Sequence, residues 1–256
     1  MAVTIEPQRY FVEKIAGDRF AVHTVVPAGQ SPETYDPAPH EMVSLARSRA
    51  YLRIGRIGFE QVWMQTIREN NPHLTVFDLS EGICWIGDGE QAHTRHTHCA
   101  EDPHIWNTTV GARIIARNTL QAFASLDPAN EAAYQTGYRE LLREIDETER
   151  VLHELLDTLS CRTFIIYHPA LTYFADEFHL TQLAIESEGK EPSAASMKAL
   201  VDRAKEARVR VVFMQQEFDR KHAEQVAKEI GARVVMINPL DAHWREQMIF
   251  MAQSLL

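Results

Sequence analysis

The stretch PANEAAYQTGYRELLREIDETERVLHELLDTL, residues 128–159, decides the architecture, because it reads as one long helix in a chain that otherwise alternates strands and helices. Tyr134, Tyr138, Leu141, Leu142, Ile145, Val151, Leu152, Leu155 and Leu156 recur near the helical period. Before it, Leu126-Asp127-Pro128 supplies a stop, with Asp127 placed to cap and Pro128 in the first turn. The run Thr108–Leu126 also reads as helix. A helix of about 30 residues is about 45 Å long, more than one small lobe is wide. The acidic run Glu144 to Glu149, flanked by Arg143 and Arg150, reads as its solvated face.

On either side, short β-branched runs alternate with amphipathic stretches, the pattern of a parallel sheet covered by helices. Strands are expected at Phe20–Val26, Tyr51–Ile54 and Leu74–Leu79, with Val3–Ile5 as the remnant of another. In the second half they are expected at Thr163–Tyr167, Leu180–Ile185, Val209–Met214 and Arg233–Ile237. Ser193 reads as a helix start and Gly231 as a helix stop. The fold class is therefore α/β: two lobes, each with a mainly parallel sheet flanked by helices, joined by a long rigid helix. The divisions are 1–127 for the first lobe, 128–159 for the bridging helix and 160–256 for the second lobe.

Composition narrows the function. The chain has 256 residues, 45% hydrophobic and 24% charged, as in ordinary globular proteins. Its net charge of −10 argues against nucleic acid as a partner. No apolar run approaches the roughly 20 residues of a membrane span. The opening Met1-Ala2-Val3-Thr4-Ile5 lacks the basic start and long apolar run of a signal peptide. Cys84, Cys99 and Cys161 read as three unpaired thiols, with a Cys84–Cys99 disulfide as the alternative.

Two histidines carry the chemistry. His104 lies in Asp102-Pro103-His104-Ile105-Trp106 and His168 in Tyr167-His168-Pro169-Ala170-Leu171. Neutral imidazole is a preferred ligand for zinc and its neighbours. Ligands of open α/β sheets bind beyond the carboxyl ends of the strands. Glu33, His168 and Asn238 each follow an expected strand, and His104 precedes a central helix. Two imidazoles and one carboxylate suit zinc and also ferrous iron.

These motifs resemble, over nearly the whole chain, the zinc and manganese solute-binding proteins of bacterial ABC transporters, the ZnuA/TroA-like family. PQRYFVEKI resembles the family's opening helix, SPETYDP its first ligand loop, DPHIW its second and YHPALTYFA its third. VVMINPLDAHW resembles its last strand, loop and helix. The resemblance implies a metal site in the interlobe cleft with Glu33, His104, His168 and Asn238 at the four ligand positions. Histidine in the third motif resembles the zinc-type branch, so zinc is expected, with manganese or iron as alternatives. Two positions depart from the family: Glu33 stands where it has histidine, and Asn238 where it has aspartate. The charge change at one position offsets that at the other. Asn238 also reads as a turn residue before Pro239, leaving water, Asp241 or Glu217 as alternative fourth ligands. His93, His96 and His98, beside Cys99, resemble a short form of the family's histidine-rich loop.

The implied function is not enzymatic. It is that of an extracytoplasmic receptor, periplasmic or membrane-anchored and monomeric, that captures a divalent metal ion and hands it to a membrane permease. The alternatives are a metal-dependent hydrolase or chelatase built on the same His-His-Glu set, and an adhesin in which metal only stabilises the fold. A hydrolase needs a general base beside the metal-bound water, and no His-Glu-x-x-His motif supplies one.

Overall fold

The computed structural model describes residues 1–87, 101–186 and 192–256. The chain forms two compact units. One comprises Met1–Glu147 with Leu240–Trp244, the other Thr148–Pro239 with Arg245–Leu256. Among the described residues no helix is long and apolar enough to cross a membrane.

The first unit contains β1 (Ala2–Val3), α1 (Glu6–Ala16), β2 (His23–Thr24), α2 (Pro39–Ala46), β3 (Ala50–Arg53), α3 (Gly58–Asn70), β4 (Thr75–Asp78) and α4 (Thr109–Leu126). A 3-10 turn at Pro128–Asn130 leads into α5 (Glu131–Leu156). The 26 residues of α5 span about 39 Å. They belong to the first unit up to Glu147 and to the second from Thr148. The strands lie in the order β2-β1-β3-β4, all parallel. Ala2, Val3, Ala50, Tyr51 and Leu52 are fully buried, as are Phe11 and Val12 on α1 and Ile115 and Phe123 on α4.

The strand expected over Phe20–Val26 pairs in the ladder only at His23–Thr24. Phe20 is drawn into an aromatic stack, with its ring 4.9 Å from Phe123 and 6.1 Å from Tyr134. Its bulk and β propensity were legible in the sequence; its partners on distant helices were not.

The second unit contains β5 (Thr163–Ile166), α6 (Thr172–Glu177), β6 (Thr181–Ala184), α7 (Ala194–Glu206), β7 (Val211–Gln215), α8 (Lys221–Ile230) and β8 (Arg233–Ile237). The closing helix α9 (Trp244–Gln253) begins on the last residue assigned to the first unit. The strand order β6-β5-β7-β8, again all parallel, repeats that of the first sheet. Ser193 caps α7 by accepting from Ser196 N at 3.1 Å. Gly231 ends α8 in the left-handed conformation, φ 70°, which glycine adopts cheaply.

In each sheet the first and third strands are central neighbours, and the chain leaves them toward opposite edges. That is the topological switch point of an open α/β sheet, where ligands bind beyond the carboxyl ends. In the first unit this point is braced by Glu60, whose side chain is fully buried. It accepts from Ile54 N at 2.7 Å, from Gly55 N at 2.8 Å and from the Thr4 hydroxyl. Thr4 also bonds the Tyr51 hydroxyl at 2.6 Å, so the ends of β1 and β3 are tied together.

Burial pushes the Glu60 carboxyl above its ordinary range, against the pull of these donors and of Arg53. Above about pH 4.5 the folded chain therefore holds this proton more firmly than the unfolded chain does. The contribution to stability is fully present below that pH and is lost as pH rises through the elevated value. Glu60→Gln removes the titration. The wild-type-minus-variant difference in urea unfolding free energy should fall as pH rises above about 4.5; a flat or rising difference contradicts this account.

Candidate metal centre

His168 stands immediately beyond β5, between two side chains that the strand register fixes. Ile166 pairs with Ala184 on β6 and with Phe213 on β7. Two residues further along each strand, His168 is flanked by Glu186 and Gln215. Glu186 Oε1 lies 3.3 Å from His168 Nδ1, and Glu186 is only 7% exposed. The Gln215 side chain donates to His168 O at 2.7 Å and accepts from His168 N at 3.3 Å. The ring of Phe218 stacks on the imidazole, with centroids 5.4 Å apart and planes at 25°. The ring is thus held by sheet geometry, an amide clamp and an aromatic face.

His104 is set locally. Asp102 Oδ1 accepts from His104 N at 2.8 Å and contacts His104 Nδ1 at 2.9 Å. Both residues are buried, at 3% and 6% exposure. Asp102 N in turn donates to Ile86 O at 2.9 Å. Trp106 packs 5.3 Å from the imidazole, and its carbonyl accepts from Trp244 Nε1 at 2.6 Å.

A carboxylate on Nδ1 favours the tautomer with its proton there, so the lone pair falls on Nε2. This is the carboxylate–histidine arrangement that orients metal-binding imidazoles and raises their basicity. The pairing alone is not diagnostic. His243 makes the same contact with Asp241 at 2.7 Å, yet its side chain is 77% exposed. Burial sets His104 and His168 apart.

Glu33 lies in the loop between β2 and α2 and caps another element. Gly58 N donates to Glu33 Oε2 at 3.0 Å, and Phe59 N donates to Pro32 O at 2.8 Å. The loop thereby satisfies the first donors of α3, which has no side-chain cap of its own. Only glycine fits at the contact, because a Cβ on Gly58 would meet Glu33 O at 2.4 Å. The other oxygen, Oε1, is buried without a hydrogen-bond partner. A carboxylate can thus cap with one oxygen and present the other to a cation.

Asn238 follows β8 at the edge of the second sheet and donates its N–H to Gln247 Oε1 at 3.3 Å. Asp241 Oδ1 is engaged by His243, from both the main chain at 2.8 Å and the ring. Glu217 follows β7, and burial raises its carboxyl above the usual range while nearby His168 opposes the shift. Among the described residues, no group of three His, Cys, Asp or Glu side chains is placed to hold an ion. A cavity of about 390 Å³ past β3 and β4, lined by Arg53, Arg56, Asp78, Ser80 and Trp85 among others, contains none of the candidate ligands. His93, His96, His98 and Cys99 lie outside the described residues. Cys84 is an exposed free thiol and Cys161 a partly buried one.

Sequence reasoning did not assign roles to Asp102 and Glu186. Asp102 had a readable signal, because an aspartate two residues before a histidine can close an Asx turn on it. Glu186 had none without the register, since only the pairing of β5 with β6 brings it across from His168.

A family model described as ZnuA, zinc-uptake complex component A periplasmic, matches residues 1–252. A high-affinity zinc uptake system protein, ZnuA of Bacillus subtilis, is 26% identical over 96% of this chain and 80% of its own length. A manganese ABC transporter substrate-binding lipoprotein, PsaA of Streptococcus anginosus, is 23% identical over 85% of this chain and 72% of its own. A crystal structure of ZnuA superposes with a TM-score of 0.91 at 36% identity, covering 98% of this chain and 95% of that one. The chain belongs to the ZnuA family of periplasmic zinc-uptake components.

Proposed function

We propose that this protein is an extracytoplasmic receptor that binds one divalent transition-metal ion, zinc first, and delivers it to the permease of an ABC transporter. It acts as a monomer, free in the periplasm or held at the membrane, and it binds its cargo without transforming it. The observation that carries the reading is a pair of imidazoles, His104 buried in one unit and His168 partly buried in the other, each with a carboxylate on Nδ1. Glu33 adds an oxygen donor whose second oxygen is already anchored on α3. Family membership and the zinc-uptake names of its relatives support transport over hydrolysis.

Two nitrogens and one or more oxygens suit zinc's tetrahedral preference. The carboxylate at position 33 moves the site toward the harder ions, so manganese and ferrous iron are its natural competitors. Asn238 contributes only a neutral carbonyl if it binds, and so adds little to selectivity.

Calorimetric titration with zinc at neutral pH should give one site with a Kd well below micromolar. Affinity should fall as pH drops, because an imidazole must be unprotonated to bind the metal. Absence of binding tighter than micromolar contradicts the reading. Asp102→Ala and Glu186→Ala should each weaken zinc binding by about 10–100-fold, since each removes the group that orients a ligand ring. Unchanged affinity in both variants would mean that the carboxylates only shape their loops.

A further inference from the structure

We infer that Glu217 is a ligand of the same ion as His168 and supplies the negative charge that Asn238 lacks. The inference rests on the metal-receptor reading above and concerns the second unit alone. β7 is the neighbour of β5, and the gap beyond their carboxyl ends is the switch point of the β6-β5-β7-β8 sheet. His168 leaves β5 there, and Glu217 leaves β7 there. Two residues close to Glu217 in the chain touch His168: Gln215, two positions before it, clamps its main chain, and Phe218, the next residue, stacks on its ring at 5.4 Å.

Within that frame the Glu217 side chain is incomplete. The carboxylate accepts from its own main-chain N–H. Its Oε2, however, is buried without a hydrogen-bond partner. A buried carboxylate oxygen left unpaired is costly, and a bound cation removes that cost. Glu186, the other carboxylate at His168, is engaged at Nδ1 and so orients the ring. The two acids therefore divide the work, Glu186 behind the imidazole and Glu217 toward the ion.

Charge favours the same assignment, because Glu217 offers a carboxylate where Asn238 offers only a neutral carbonyl. Asn238 stands past β8, the edge strand, two positions from β5.

The test compares wild type, Glu217→Gln, Glu217→Asp, Asn238→Ala and His168→Ala, by zinc competition titration and by the visible spectrum of the cobalt-substituted protein. Glu217→Gln keeps shape and removes charge, and thermal unfolding without metal checks that each variant folds. The expected result is a loss of affinity of about 100-fold or more in Glu217→Gln, beyond what losing an orienting partner typically costs. A shifted cobalt ligand-field band should accompany it, with a smaller loss in Glu217→Asp and little change in Asn238→Ala. Wild-type affinity and an unchanged cobalt spectrum in Glu217→Gln overturn the assignment while leaving the receptor reading intact, provided His168→Ala abolishes binding. Failure of the wild type to bind zinc overturns both.

Discussion

A carboxylate against Nδ1 governs which nitrogen His104 and His168 can each offer. Asp102 does this for His104 at 2.9 Å and Glu186 for His168 at 3.3 Å. With the proton held there, each ring presents the Nε2 lone pair in a fixed direction, and imidazole becomes a stronger base toward a metal. The two contacts are made in different ways. Asp102 reaches its histidine through a tight local turn, whereas Glu186 reaches it across a parallel ladder. That unrelated local structures arrive at the same contact favours a functional over an incidental origin. Exposed pairs such as His243 with Asp241 show that proximity in sequence alone produces the contact without burial.

The sheets explain why the donors sit where they do. Both have the same strand order, and both place chain ends at the gap between the first and third strands. In the second unit the register puts Glu186, His168 and Gln215 side by side as the strands end. In the first unit Glu60 ties the ends of β1 and β3. The loop it braces leads to Gly58, whose N–H holds Glu33. Glu33 and His168 thus hang on strand ends, and the price is a set of buried polar groups that must all be satisfied.

Much of the fold was legible from periodicity. The alternation of apolar runs located the helices and most strands, and Ser193 and Gly231 marked helix ends that the structure keeps. Phe20–Val26 was over-read as strand because β propensity does not report an aromatic's partners, here Phe123 and Tyr134. His104 and His168 were singled out by their motifs, and the structure places a carboxylate on each ring. The capping role of Glu33 was invisible, because the donor at Gly58 lies 25 residues away. Glu60 and Glu186 escaped for the same reason: spacing along a chain does not reveal strand register. The composition gave each of them only as one more acidic residue.

The central proposal is that a carboxylate-backed imidazole offers its Nε2 to a bound metal ion. Anomalous diffraction at the zinc edge from crystals of the zinc-loaded protein tests it most directly. The predicted result is zinc about 2.0–2.1 Å from Nε2 of His104 and of His168. An ion bound through Nδ1, or one that touches neither imidazole, would contradict it.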